Sequence, residues 1–118
     1  MRFRPELVKG TTPGLVLALL AERPMHGYEL AKALEERSAG ALALGQGVLY
    51  PTLHRLEREG LIRGEWLAAS AGPERRVYRL TPAGHAALAA CRAEWAAFAG
   101  VVSRVLGAAP AASPQPAA

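Results

Sequence analysis

Residues 46–81 read QGVLYPTLHRLEREGLIRGEWLAASAGPERRVYRLT, and the spacing of the apolar residues changes within this stretch. In its first part, Leu49, Leu53 and Leu56 recur every three or four positions, which is the spacing of one face of an α-helix. This leucine stripe predicts a helix over roughly residues 46–59. The opposite surface of the same helix carries polar, charged and aromatic side chains, so we expect one buried face and one exposed face.

The second part of the stretch is typical of β-structure. Residues 61–69 and 75–81 are rich in Leu, Ile, Trp, Val and Tyr, and the turn formers SAGPE lie between them. Gly60, a common helix stop, separates the predicted helix from the first extended segment. We therefore predict that a β-hairpin follows the helix directly.

Two further helices are predicted before this stretch. Pro13 suits the first turn of a helix that must end before Pro24, and its apolar residues cover nearly all sides, so it should be buried. Residues 28–37 show a second, amphipathic pattern. Three short helices followed by a hairpin make a winged helix-turn-helix over residues 11–81, with the third helix as the reader helix and the hairpin as the wing. The predicted fold class is mostly α with a small β-hairpin (α+β).

A long helix is predicted to follow the wing. Thr81 and Pro82 signal its start, and its apolar residues then recur at spacings of 3, 4, 3, 4 and 3, which is a heptad seam. A helix over residues 82–106 would be roughly 38 Å long at about 1.5 Å per residue, too long for the preceding small domain to cover. We expect it to be a dimerisation helix covered by its copy in a second chain. The predicted dimer interface consists of Leu88, Cys91, Trp95, Phe98, Val102 and Val105.

Composition excludes most kinds of catalytic chemistry. The chain has 118 residues, enough for one domain with one core, and 14 basic residues against 10 acidic ones give a net charge of +4. This balance favours a polyanionic partner. With no Asp, three scattered His and one Cys, the chain lacks the residues for an aspartic dyad, an Asp triad or a cysteine-rich zinc site. We therefore predict no catalytic site, no metal, no cofactor and no enzymatic activity.

The single cysteine, the longest apolar run and the two terminal segments carry further predictions. The single cysteine permits no internal disulfide and fits a reducing compartment, so the expected location is the cytoplasm. The apolar run at residues 15–21 is too short to cross a membrane, and we expect no membrane partner. Residues 1–10 are predicted to form a basic N-terminal arm. Residues 107–118, rich in Ala, Pro and Ser, are predicted to form a disordered tail.

Several short motifs occur in one order along the chain. They are MHGYEL at residues 25–30, GVLYP at 47–51, LHRLE at 53–57, GLI at 60–62 and RRVYRLTPAG at 75–84. Together they resemble the PadR family of bacterial transcriptional regulators over about residues 12–106, and the single C-terminal helix resembles the smaller subgroup of that family. The resemblance implies a homodimeric repressor whose DNA affinity responds to a small molecule or stress signal. One departure is Val48, where the family often carries Ser or Thr, so a hydroxyl contact to phosphate is lacking there.

The candidate DNA contacts lie on the exposed face of the reader helix and on the wing. From the reader helix they are Gln46, Tyr50, Thr52, His54 and Arg55, and from the wing they are Arg75 and Arg76. Arg suits guanine edges and phosphates, whereas Gln suits adenine. The alternatives are a solvated face for the polar residues and, for Tyr50, an aromatic packed in the core under the wing. Alternation along the strand places Tyr78 on the face toward the helices.

Trp95 is the most informative side chain of the C-terminal helix. On a two-fold seam it either fills the interface or, with its copy, forms the two walls of a slot for a flat aromatic ligand. Small neighbouring alanines leave room for such a ligand, and Phe98 and Leu15 could complete the pocket. Cys91 on the same seam is either a redox trigger or an inert core residue.

The leading functional hypothesis is a homodimeric DNA-binding transcriptional regulator, a repressor that acts on a palindromic operator in double-stranded DNA. A two-fold dimer would present two reader helices about one helical turn, roughly 34 Å, apart. An aromatic or hydrophobic small-molecule effector near the dimer interface would release it. The alternative is a winged-helix module that binds protein without sequence-specific DNA recognition. It is favoured by the modest charge of residues 44–82, where six Arg face four Glu.

Overall fold

The order of the elements confirms the predicted winged helix-turn-helix and the long helix after it. A computed structural model describes residues 2–8, 10–67 and 75–108. Its elements are α1 (Pro5–Val8), α2 (Thr12–Glu22), β1 (Met25–His26), α3 (Gly27–Arg37), α4 (Gln46–Arg58), β2 (Ile62–Leu67), β3 (Arg75–Leu80) and α5 (Pro82–Leu106). Helix α4 is the reader helix, and β2 and β3 form the wing. The tip of the wing, residues 68–74, and residues 109–118 of the predicted tail lie outside the described residues.

Helix α2 is the centre of the core. Its residues Val16, Leu17, Leu19 and Leu20 are at most 5% exposed, as expected for a helix with apolar residues on nearly all sides. Helices α3, α4 and α5 and strand β3 pack around it. The leucine stripe of α4 belongs to the same cluster and is at most 2% exposed. Each fully buried side chain of this kind contributes about 1.5–3 kcal/mol to the stability of the fold. The cluster therefore fixes the position of α4 on the core.

A reciprocal pair of hydrogen bonds fixes the start of α3. The Nδ1 atom of His26 accepts from the N–H of Glu29 at 3.2 Å, and the Glu29 carboxylate accepts from the N–H of His26 at 3.2 Å. Two amides at the helix start are satisfied in this way. Burial alone raises the pKa of Glu29, but the hydrogen bonds from Arg23 and His26 outweigh it and lower that pKa.

Three strands of the described residues form an antiparallel sheet in the order β1-β3-β2. Met25 on β1 and Gly64 on β2 both stand opposite Tyr78 on β3. Tyr78 is 3% exposed, on the inward face where alternation predicted it. The sequence predicted only the hairpin of β2 and β3, because a strand of two residues such as β1 is too short to show a period.

Thr81 joins the end of α4 to the start of α5. Its hydroxyl donates to the carbonyl of Gly60 at 2.7 Å and accepts from the N–H of Gly84 at 3.1 Å. Gly60 ends the α4 region as predicted, with a φ of +78° in the left-handed region that favours glycine. A Cβ on Gly84 would collide with the carbonyl oxygen of Leu61. The first turn of α5 therefore packs directly against the chain that leads into the wing.

Helix α5 leaves the core of its own chain after its first two turns. Leu88 is 4% exposed and belongs to that core. It was predicted to lie between two copies, and this prediction is wrong because its own chain already covers it. Farther along, Trp95, Phe98 and Val105 are 55%, 59% and 82% exposed. By length and composition α5 could also cross a membrane, with a mean hydropathy of 1.2, a criterion that core helices of soluble proteins also meet.

The N-terminal arm contains a short helix, α1, that the sequence did not predict, because four residues are too few for a helical period. The N–H of Phe3 donates to the carbonyl of Ala41 at 3.2 Å, and the Arg2 guanidinium donates to the carbonyl of Gly40 at 3.4 Å. The start of the arm therefore lies on the connector between α3 and α4.

Candidate functional site

A cleft of about 830 Å³ opens between α3, α4 and the wing. Its charged lining residues are the basic Arg23, Lys32, Arg75 and Arg76 and the acidic Glu29 and Glu36, and its larger aromatic ones are Tyr28, Tyr50, Trp66 and Tyr78. The leucine stripe of α4 faces away from this cleft into the core, as the amphipathic pattern requires. A groove that combines cations with exposed aromatic rings suits a polymer of phosphates and bases.

Tyr50 lies at the border between α4 and α3. It is 41% exposed, so it is not an aromatic buried in the core under the wing. A Cβ atom on Gly27 would lie only 3.0 Å from the Tyr50 hydroxyl and 3.2 Å from its Cζ. The absence of a side chain at Gly27 therefore lets the Tyr50 ring lie against the first turn of α3, with one side open to the cleft.

The other predicted residues of the reader helix differ in how free their polar groups are. The exposed ones are Gln46, His54 and Arg55. The Nε atom of Arg55 donates to Glu59 at 3.0 Å, in a pair whose side chains are 61% and 44% exposed. Exposed pairs on a helix contribute about 0.3–0.5 kcal/mol, so Arg55 can exchange this partner for another. Thr52 is half-buried, and its hydroxyl already donates to the carbonyl of Val48 at 2.8 Å.

The N-terminus of α4 is open. Gly45 is the N-cap, and among the described residues no side chain accepts from the first amides of the helix. The first amides of a helix lack partners within it and carry a partial positive charge. An anion such as a phosphate is therefore favoured at this end of the reader helix.

The two predicted wing cations occupy different surroundings. Arg75 is exposed, and its guanidinium lies 3.3 Å from Nε2 of His26 at the edge of the cleft. Arg76 instead pairs with Glu57 of α4, and its side chain is 29% exposed. Both were candidate DNA contacts, with a solvated charge as the alternative, whereas the structure turns Arg76 inward toward the reader helix. Spacing along the chain carries no signal for a partner 19 residues away.

Part of the cleft was missed by sequence reasoning. Tyr28 is 72% exposed, and Lys32 lies one helical turn farther along α3 on the same lining. Arg23 completes this side of the cleft and donates to Glu29 at 2.8 Å. The sequence predicted α3 as an amphipathic helix, and none of its residues was among the candidate DNA contacts. Its polar side, already visible in the amphipathic pattern, was the signal that could have identified these residues.

A second group of predicted residues lies on α5, away from the core. The rings of Trp95 and Phe98 are neighbours, with centroids 6.2 Å apart and planes tilted by 44°. Leu15 is half-buried on α2, where it packs against the core. The sulfur of Cys91 lies against Gly14 of α2, where a Cβ atom would meet it at 2.5 Å. The structure thus brings Trp95 and Phe98 together on α5. Leu15 packs against the core of the winged domain, and Cys91 contacts α2.

Known proteins share this fold and sequence pattern. Residues 16–90 match the transcriptional regulator PadR-like family. The chain is 45% identical over 73 residues to the transcriptional regulator Rv3488 of Mycobacterium tuberculosis, a match that covers 62% of this chain and 64% of that protein. A solved transcriptional regulator from Clostridium thermocellum has a TM-score of 0.79 and 25% identity, over 84% of this chain and 96% of its own. A PadR family transcriptional regulator from Eggerthella lenta has a TM-score of 0.77 and 34% identity, over 86% of each chain.

A further solved structure shows the same fold in the presence of DNA. The PadR protein of Bacillus subtilis in complex with operator DNA has a TM-score of 0.61 and 23% identity, over 69% of this chain and 45% of its own. At this identity the likeness shows the fold alone. The family match itself covers well over half of the chain and includes the reader helix, the wing and the start of α5. The chain therefore belongs to the PadR-like family of transcriptional regulators, whose members are not enzymes.

Proposed function

We propose that the chain binds a palindromic operator as a homodimer and represses transcription until a small aromatic or hydrophobic effector binds near the dimer interface. The supporting observation is the convergence of three elements on one open cleft. The polar face of α4, the exposed side of α3 and Arg75 of the wing all border it, while the leucine stripe lies buried behind. The proposed location is the cytoplasm.

The exposed face of α4 would enter the major groove. Gln46 and Arg55 have the side-chain chemistry to read adenine and guanine edges, and both are exposed outside the cleft lining, whereas His54 belongs to that lining. Because the pair of Arg55 with Glu59 is exposed, its loss on binding costs little. Tyr50, with its ring against α3, is placed to contact a phosphate or a base edge beside the groove.

The phosphate backbone would follow the rest of the cleft. Tyr28 and Lys32 on α3 and Arg75 on the wing are exposed along its border, and each can donate to a phosphate oxygen. The open N-terminus of α4, which lies outside the lining of this cleft, adds partial positive charge at the start of the reader helix. These contacts would position the protein on the duplex, and the side chains of α4 would supply sequence discrimination.

Dimerisation would cover the exposed length of α5. Its exposed apolar residues are Trp95, Phe98, Val101, Val105 and Leu106, at 47–82% exposure. A contiguous apolar strip of this kind marks an interaction surface, and the heptad spacing favours a second helix as its cover. Arg92 and Glu94 interrupt the apolar sequence of the helix near its middle. Charges at that position make lipid a poor cover for the helix. A second copy of the chain satisfies both the spacing and the charges.

The effector would bind where Trp95 and Phe98 of the two copies meet. Their rings already lie side by side on the exposed helix, and the alanines between and around them leave space for a flat ligand. Such a ligand would change the angle between the two α5 helices and so the separation of the reader helices. Trp95→Ala should then remove the effector response and leave DNA binding intact. Loss of dimerisation in Trp95→Ala would favour a packing role for this residue.

Fluorescence anisotropy tests the DNA part of the proposal. A labelled duplex from the region upstream of the chain's own gene is titrated beside a scrambled duplex, at low and at moderate salt. We expect tight binding to one duplex, with a log–log salt slope of about −0.9 for each phosphate contact. Absence of binding to any duplex at low salt would contradict the proposal and favour a protein-docking module.

A further inference from the structure

Glu57, near the C-terminal end of α4, holds both strands of the wing. One oxygen of its carboxylate, Oε2, accepts from the backbone N–H of Gly64 on β2 at 3.2 Å. The same oxygen accepts from the guanidinium of Arg76 on β3. We call Glu57, Gly64 and Arg76 the wing latch, because one side chain of the reader helix joins the two strands to that helix.

The wing latch is more shielded from water than the neighbouring ion pair of α4. The side chains of Arg76 and Glu57 are 29% and 26% exposed, against 61% and 44% for Arg55 and Glu59. Water and salt screen a shielded pair less, and loss of one partner leaves the other charge partly buried. The wing latch is therefore expected to keep its geometry, whereas the Arg55 pair exchanges with solvent.

Two aromatic rings hold Arg76 in the wing latch. Its guanidinium carbon lies 5.8 Å from the centre of the Trp66 ring and 5.6 Å from the centre of the Tyr78 ring. Both distances are within the range of cation–π attraction. Its Nε atom is buried and has no hydrogen-bond partner among the described residues. To reach a phosphate, Arg76 would have to leave both rings and the carboxylate of Glu57.

Gly64 provides the space that Arg76 occupies. A Cβ atom at this position would lie 2.8 Å from Cζ and 2.9 Å from Nη2 of Arg76, closer than real contacts allow. Glycine inside a strand costs stability, and it often marks a place where another group approaches closely. An alanine here would displace the guanidinium of Arg76 without changing the charge of the protein.

The wing latch acts where the support from β1 ends. Strand β1 pairs with β3 at Tyr78 and Val77. Arg76 and Arg75 follow toward the wing tip, where they pair with β2 alone in the sheet. A two-stranded ribbon is only marginally stable by itself, so a side-chain tie at this point restrains the part of the wing that would reach DNA.

We propose that Glu57 and Arg76 are positioning residues for DNA recognition. The wing latch fixes the angle between the wing and α4, so that both can contact one duplex at the same time. The proposal rests on the proposed DNA-binding function. It explains why a helix that approaches phosphates carries the Glu57 carboxylate. Arg76 then supports DNA binding by holding the wing in place.

A matched pair of variants tests the direction of the effect. E57A and E59A each remove one negative charge at the C-terminal end of α4, and electrostatics alone predicts tighter DNA binding for both. With the wing latch, E57A should bind the operator about tenfold more weakly, or about 1.4 kcal/mol, while E59A binds equally or more tightly. Anisotropy at one fixed salt concentration measures the difference. Tighter binding by E57A would overturn the proposal.

Variants of Arg76 and Gly64 separate positioning from direct contact. R76M should weaken binding about as much as E57A, and the double variant should be no weaker than either, because both break one tie. G64A should also weaken binding, although it changes no charge. If Arg76 touched a phosphate instead, E57A would strengthen binding, R76M would weaken it and the two effects would add. That pattern would assign Arg76 to direct contact.

Hydrogen exchange of the full chain measures how well the wing latch protects the wing strands in the absence of DNA. The amides of residues 75–77 should exchange faster in E57A, R76M and G64A than in wild type or E59A, while the amides of α2 remain unchanged and show that the fold is intact. Unchanged exchange at residues 75–77 would overturn the proposal. Wild-type chain that binds no duplex would contradict the DNA-binding function instead, so the two failures are distinguishable.

Discussion

The winged domain and the exposed length of α5 differ in how far their apolar residues are buried. In the winged domain the leucine stripe of α4 is at most 2% exposed, and α2 is covered by the chain's own helices and strands. On α5, the heptad residues Trp95, Phe98 and Val105 are left 55–82% exposed, and Val102 is half-buried. The winged domain and the start of α5 therefore share one core within the chain, whereas no described residue of the same chain buries Trp95, Phe98 or Val105.

The largest expected effect is inside the winged domain. Leu53 is 0% exposed in the middle of the leucine stripe, so Leu53→Ala should lower the free energy of unfolding by about 2–5 kcal/mol. Chemical denaturation measures this loss. The matched control is Leu67→Ala, because Leu67 is 50% exposed and its truncation should cost far less. Equal losses in the two variants would contradict the position of the core.

A charge on the exposed part of α5 should break the dimer and leave the winged domain folded. Phe98→Glu places two carboxylates at the seam, and like charges there cost several kcal/mol, so we expect at least about a hundredfold weaker dimerisation. Sedimentation equilibrium measures the dissociation constant. Ala93→Glu, on the opposite side of the same helix, is the control and should leave the dimer intact. Equal behaviour of the two variants would rule out the heptad seam as the interface.

A smaller effect is expected for a single cation at the cleft. Arg75→Ala should weaken DNA binding uniformly across sequences and reduce the log–log salt slope by about one unit. The measurement is anisotropy over a series of salt concentrations. Arg63→Ala, another exposed cation on the wing strands but outside the cleft lining, is the control. An unchanged slope in Arg75→Ala would remove this residue from the proposed phosphate contacts.

The smallest expected effect concerns the start of α3. The pKa of Glu29 is lower in the folded chain than its ordinary value of 4.5, so its stabilising contribution is present above that pH. It is lost as the pH falls through the lowered folded-state pKa. Glu29→Gln should therefore be less stable than wild type near neutral pH, and the difference should shrink in acid. A difference in unfolding midpoint that stays constant with pH would contradict this role.

The sequence predicted the parts of the fold in which the helical or strand period repeats several times. The stripe of Leu49, Leu53 and Leu56, the extended segments of the wing and the seam of α5 each repeat often enough to show helix or strand. Strand β1 and helix α1 were missed because they contain two and four residues. Leu88 continues the seam of α5 in sequence but lies in the core of its own chain, because the period does not tell which neighbour covers a residue.

The candidate site was predicted less completely than the fold. Exposure of Gln46, His54 and Arg55 follows from the leucine stripe, since a helix with one buried face presents the other to solvent. The inward turn of Arg76 depends on Glu57, which lies on another element, and on a cation–π contact that no local pattern encodes. The contribution of α3 to the cleft likewise arises from tertiary packing.

The stoichiometry of the complex with operator DNA tests most directly the claim that the two regions have separate roles. Sedimentation velocity with a labelled operator duplex should show two wild-type protomers on one duplex. Phe98→Glu should remain folded and bind the same duplex more weakly, at concentrations where its own dimer is absent. A Phe98→Glu variant that is monomeric yet binds the operator as tightly as wild type would contradict the account, as would a wild-type complex with one protomer per duplex.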